Sequence, residues 1–111
     1  MAEISELTAL IADFANRRDW NVFHTPKNLA MAITGEAGEL AAEFQWLTPE
    51  EATSLSGEKL QNVESEIADV AIYLFRLCDV LGIDLNSSIR DRKSTRLNSS
   101  HTDISRMPSS A

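Results

Sequence analysis

Cysteine is almost missing from this chain: Cys78 stands alone among 111 residues, which excludes an intrachain disulfide. It falls in an apolar helical stretch and reads as a core thiol rather than a nucleophile, in keeping with a reducing, cytoplasmic setting. Long hydrophobic runs are missing too, since none approaches the about 18 residues that span a bilayer. The first residues, Met1-Ala2-Glu3-Ile4-Ser5-Glu6, are acidic where a secretory leader is basic, so neither export nor membrane insertion is expected. Only four glycines and three prolines occur, and runs of β-branched residues are few, which favours helix over sheet. Positive charge is also scarce. Ten Lys and Arg against 17 Asp and Glu leave a formal charge of −7, with the acids dispersed rather than run together. A nucleic-acid or membrane surface is not built that way. An acidic protein that handles a polyanion needs cations to bring it in.

What remains fits one domain with a single, modest core. Ile4, Leu7, Leu10, Ile11 and Phe14 recur at helical spacing and predict a first helix over residues 3–17. Arg17 to His24 loses that period and reads as a connection. Thr25-Pro26 is a helix start, an N-cap followed by proline at the first helical position, and the second helix then runs to Gln45 or Trp46. Thr48-Pro49 repeats the signal and opens a short turn. A third long helix spans residues 58–81, with Gly82 as its stop and Asp84 as the cap of a last helix through Arg92. Glu64 and Asp79 fall on the far face of the third helix and read as solvated acids.

After Lys93 the character changes. Residues 94–111 hold six serines and scattered Leu97, Ile104 and Met107, with no periodicity to support a core. This stretch is expected to be disordered, and it resembles translated adapter or linker sequence, a candidate non-native addition. Domain reasoning is therefore confined to residues 1–93, where 8 basic and 16 acidic residues give −8.

Acids recur where apolar side chains should be. Glu36, Glu39 and Glu43 share a helix face with Leu29, Ala32, Ile33 and Leu40; Glu66 and Asp69 share one with Val63, Val70, Tyr73 and Leu77. One Glu-x-x-Glu pair arises readily as a solvated pair, but two acid pairs, both on apolar faces, call for a partner. Glu36, Glu39, Glu66 and Asp69 offer only hard oxygen donors, a set suited to Mg2+, whose remaining positions a triphosphate can fill. A di-iron helical site wants Glu-x-x-His, and no histidine lies there. Glu43 reads as an outer ligand, a water-orienting base or a surface acid. His24 and Lys27 flank a helix start, where backbone N–H groups favour phosphate. Trp20, Phe23, Trp46 and Tyr73 are either base-stacking rings or core, and Asn28 either bonds a base or caps a turn.

Taken together the motifs resemble the MazG-like all-α nucleoside triphosphate pyrophosphohydrolases, whose pattern is Glu-x-x-Glu, a spacer and Glu-x-x-Asp. Here it stands as Glu36-Ala-Gly-Glu39, 26 residues, then Glu66-Ile-Ala-Asp69. Arg18-Asp19-Trp20, Phe23-His24-x-Pro26-Lys27-Asn28-Leu29, Phe44-Gln45-Trp46 and Asp69-Val70-Ala71-Ile72-Tyr73-Leu74 look closer still to the dCTP pyrophosphatase branch. The resemblance covers residues 4–92. It implies an antiparallel four-helix bundle that assembles as a homodimer or homotetramer, with Mg2+ on Glu36, Glu39, Glu66 and Asp69. It also implies His24, Asn28, Trp46 and Tyr73 around the nucleotide, with Trp20 as a further candidate. The expected reaction cuts a deoxynucleoside triphosphate, dCTP first, into monophosphate and pyrophosphate, with Glu39 or Glu43 acting on the attacking water. In one departure, family members continue the last helix into a basic segment ending in Tyr-Pro that helps close the nucleotide site, and the serine-rich tail stands there instead. Two other readings share these residues: a non-catalytic acidic helical module facing a basic partner, and a related enzyme for another base, such as dUTP or dATP.

Overall fold

Local capping chemistry divides the chain into helices. The computed structural model describes residues 2–98, and the side chains of residues 3–95. Helix α1 spans Ala2–Arg17, α2 Pro26–Phe44, α3 Pro49–Ala52, α4 Gly57–Leu81 and α5 Leu85–Asn98, with a 3-10 turn at Trp20–Val22 between α1 and α2. Thr25 Oγ1 accepts the Asn28 N–H at 3.2 Å and starts α2, with Pro26 in the first turn where a missing N–H costs nothing. A reciprocal capping box starts α3: Thr48 Oγ1 accepts from the Glu51 N–H, and Glu51 accepts the Thr48 N–H at 2.9 Å. Gly82 ends α4 in the left-handed region at φ 69°, which needs no Cβ, and the Ile83 N–H closes the end on the Cys78 carbonyl at 2.8 Å. Asp84 then caps α5 by accepting from the Ser87 N–H and hydroxyl.

Packing centres on α4, which takes α2 as its main neighbour and α1 as a second. Cross-helix contacts run in reverse order along the two helices: Glu43 meets Lys59, Glu36 meets Glu66, and His24, just before α2, meets Arg76. The α2 and α4 helices are therefore antiparallel. Leu29 from α2, Val63 from α4 and Ala15 from α1 are the buried apolar residues of the described chain. No helix among the described residues is long and apolar enough to cross a membrane.

The chain is all-helical as expected; within the single chain α1, α2 and α4 pack on one another, and α5 makes little contact with them among the described residues. Its residues 87–95 are exposed, Ile89 included. The physical reason lies in its composition. After Leu85 and Ile89 the helix carries Arg90, Asp91, Arg92 and Lys93, so it has no apolar stripe to bury. It also runs to Asn98, past the expected stop at Arg92, because a nucleated helix propagates through Ser, Thr and Arg more easily than it starts. Residues 99–111, the rest of the expected disordered tail, lie outside the described residues. The radius of gyration of 16.5 Å exceeds the about 13 Å of a closed domain of this length. Many large apolar side chains remain open, among them Leu10, Phe23, Met31, Trp46, Ile67 and Leu81.

Candidate metal centre and adjoining cavity

The i, i+3 spacing on two antiparallel helices brings acids face to face. Donor oxygens of Glu36, Glu39 and Glu66 lie within 4.8 Å of one another. Glu36 Oε1 and Glu66 Oε1 are buried and have no hydrogen-bond partner. Desolvation, followed by repulsion from Glu39 and Asp69, raises the Glu36 carboxyl above its usual value. For Glu66 the same desolvation acts first, then Glu39, Glu36, Asp69 and Glu43. Two orphaned carboxylate oxygens beside a third acid are poorly compensated by the protein, and the all-oxygen set fits a hard divalent cation. Asp69, one turn along from Glu66, completes the set electrostatically and lies outside the tightest trio.

Glu43 stands apart from that arrangement. Lys59 Nζ donates to its Oε1 at 3.0 Å and to its backbone carbonyl at 3.1 Å. Its charge is already met, whereas Glu39 remains exposed at the edge of the cluster.

Because the folded chain holds protons on Glu36 and Glu66 more tightly than the unfolded chain does, a metal ion bound there would have to displace them. Folded pKa values raised above 4.5 mean that the metal-free state loses stability as pH rises through that window, and a bound cation recovers it. A divalent cation bound by these acids should therefore raise the melting temperature by an increment that grows as pH rises above the ordinary carboxylate range. Burial and the adjacent Arg76 lower the His24 pKa, an effect of opposite sign that is present with and without metal and cancels in the increment. Melts at fixed protein concentration check this, and an increment that shrinks with pH would contradict it.

Next to the acids lies a cavity of about 520 Å³, lined by Phe14, Trp20, His24, Asp69, Tyr73 and Arg76 among others. Its rings form a chain: Phe14 meets Trp20 edge-on at 5.2 Å, Trp20 meets His24 at 5.8 Å, and His24 meets Tyr73 at 6.3 Å between centroids. Arg18 sits over the outer face of Phe14 at 3.7 Å. Asp69 belongs to both the acid set and the cavity wall, so the two are continuous.

Trp20, His24 and Tyr73 are thus brought together, while Lys27, Asn28 and Trp46 do not line this cavity. Asn28 spends its side-chain amide on the Phe23 carbonyl at 3.1 Å and its N–H on the Thr25 cap. Lys27 is exposed in the first turn of α2, and Trp46 past its end is 86% exposed. Sequence reasoning missed Arg76, which is buried at the cavity wall. A cation inside the run Tyr73-Leu74-Phe75-Arg76-Leu77 is the same kind of signal as the buried acids. Asp79, expected to be merely solvated, pairs with it at 2.9 Å.

No family model matches the chain. Among curated proteins, human dCTP pyrophosphatase 1 is 40% identical over 84 residues, covering 74% of this chain and 49% of that protein. Bovine dCTP pyrophosphatase 1 is 38% identical over 88 residues, 78% of this chain and 52% of its own length. The chain spans about half the length of these curated relatives. Among solved structures, a pyrophosphatase from Archaeoglobus fulgidus aligns with a TM-score of 0.71 at 37% identity, covering 86% of this chain and 91% of that one.

Proposed function

Since the chain belongs to the MazG-like all-α pyrophosphatases, we propose that it is a metal-dependent nucleoside triphosphate pyrophosphohydrolase with dCTP as its leading substrate. The observation that carries the reading is the pair of orphaned buried oxygens, Glu36 Oε1 and Glu66 Oε1, set against Glu39. Glu36, Glu39, Glu66 and Asp69 would hold Mg2+. When bound there, the ion supplies charge neutralisation of the triphosphate and a bound water of lowered pKa.

The protein's own groups supply the rest. Trp20, His24 and Tyr73 take the base in a cavity roomy enough to hold it, whose aromatic lining offers rings to stack on. Asp69 at the junction sets the triphosphate end toward the acids. Glu39, unpaired and exposed, orients the attacking water and accepts its proton. Glu43 is the weaker candidate for that task because Lys59 already occupies its carboxylate. Water adds across the α–β phosphoanhydride, that bond breaks, and the nucleoside monophosphate and pyrophosphate leave.

A second copy of the chain is part of the proposal. The open apolar side chains and the extended shape fit a surface that another subunit covers, as a homodimer or homotetramer.

A panel of ribo- and deoxynucleoside triphosphates with magnesium tests substrate class. Pyrophosphate release is expected to be fastest with dCTP. Preference for dUTP or dATP would move the assignment to another base, and release from none of them would overturn the reading.

A further inference from the structure

Arg76 is 6% exposed, the buried charged side chain of the described residues, and it belongs to neither acid pair. Its guanidinium reaches three partners, two in the connection between α1 and α2 and one on its own helix. Nε donates to His24 Nδ1 at 3.1 Å, Nη1 to Asp79 Oδ2 at 2.9 Å, and Nη2 to Asn21 Oδ1. Asn21 is itself tied to Asn16 at the end of α1, so the anchor links α1, the 3-10 turn and α4.

The chemistry of the Arg76–His24 contact is one-directional. A guanidinium stays protonated and only donates, so the imidazole nitrogen that accepts from it carries no proton. A neutral His24 must then hold its proton on Nε2. Neutrality follows from the surroundings, because a second cation would face Arg76 in a half-buried site, and burial and Arg76 both lower the His24 pKa. Trp20 and Tyr73 flank the ring and limit its rotation.

We propose that Arg76 is a positioning residue that locks His24 as the Nε2–H tautomer, giving the cavity one fixed hydrogen-bond donor for a carbonyl or ring-nitrogen acceptor on a nucleobase. The base as the recipient rests on the function proposed above; the state of the ring does not. Tautomer choice by the bond at the other nitrogen is a general property of histidine sites. An arginine that merely tied the 3-10 turn to α4 would affect melting temperature and the folded fraction, and would leave tautomer and KM alone.

Two-bond proton–nitrogen correlation on the uniformly 15N-labelled full chain reads the ring directly. Only two histidines occur, so His101→Gln assigns the signals. His24 is expected in the Nε2–H pattern at neutral pH. Arg76→Leu, which keeps an apolar side chain in a buried position, should shift His24 to a tautomer mixture. It should also raise KM for dCTP about tenfold, the scale of one lost hydrogen bond, with kcat within about twofold. A proton on Nδ1 in the parent protein would overturn the proposal. So would Arg76→Leu with tautomer and KM unchanged. Should that variant not fold, Arg76→Met, which keeps more of the buried aliphatic stem and also lacks the donor, is read by the same correlation and the same KM, and an unchanged tautomer and KM there overturn the proposal. Failure to turn over any nucleotide, with the Nε2–H pattern intact, would retire the proposed function and leave the lock standing.

Discussion

In Glu66→Gln, magnesium-dependent pyrophosphate release is expected to fall about a thousandfold, about 4 kcal/mol of transition-state stabilisation, while the metal-free protein melts no lower than its parent. The two effects have one cause. Glu66 Oε1 is buried without a partner, and Glu39, Glu36, Asp69 and Glu43 all repel its charge. Without metal the carboxylate is a liability, and a neutral amide of the same shape relieves it. With metal, under the proposed function, it would be a ligand that an amide replaces poorly. Glu64→Gln on the exposed face of α4 is the control and should change neither quantity. A metal-free Glu66→Gln that melts well below the parent would show that Glu66 is compensated within the protein, against this account.

Leu29→Ala should cost about 3 kcal/mol of stability, enough to lower the melting temperature by more than about ten degrees in a domain of this size. Leu29 is 1% exposed, the deepest large side chain among the described residues, where its buried apolar companions are Val63 and Ala15. With so few residues fully buried, Leu29 carries a large share of the core, and its loss removes much of what holds α2 to α4. The same substitution at Leu81, which is exposed at the end of α4, should cost far less in the isolated chain. Both variants need comparison at one protein concentration, because subunit association adds to apparent stability. A loss below about 1 kcal/mol at Leu29 would mean that the α2–α4 seam is not the centre of the fold.

Helix ends were legible because their signals are local. Thr25-Pro26, Thr48-Pro49, Gly82 and Asp84 each act on backbone groups within a few residues, and each does in the structure what its type implies. The acid cluster was legible for a related reason: three-residue spacing fixes a helix face, and acids on an apolar face are out of place. Grouping Glu36 with Glu66 needed only the inference that the two apolar faces meet.

Partnerships between distant residues were not legible. Arg76 finds His24 and Asn21 across 52 and 55 positions, and nothing in its own segment announces either. Lys59 meets Glu43 because α2 and α4 are antiparallel, and that pairing separates the two candidate bases chemically. For α5, helical propensity was readable, but whether it packs depends on an apolar stripe that Leu85 and Ile89 alone do not provide. Trp46 shows the limit of reading aromatics as core in a small protein, since it is open to solvent in the single chain.

The most direct test of the account is product identity from dCTP incubated with the full chain, in magnesium and then in EDTA, resolved by anion-exchange chromatography. The account predicts dCMP and pyrophosphate in equal amounts with magnesium, and neither with EDTA. Formation of dCDP and phosphate, or no hydrolysis with magnesium present, would contradict it.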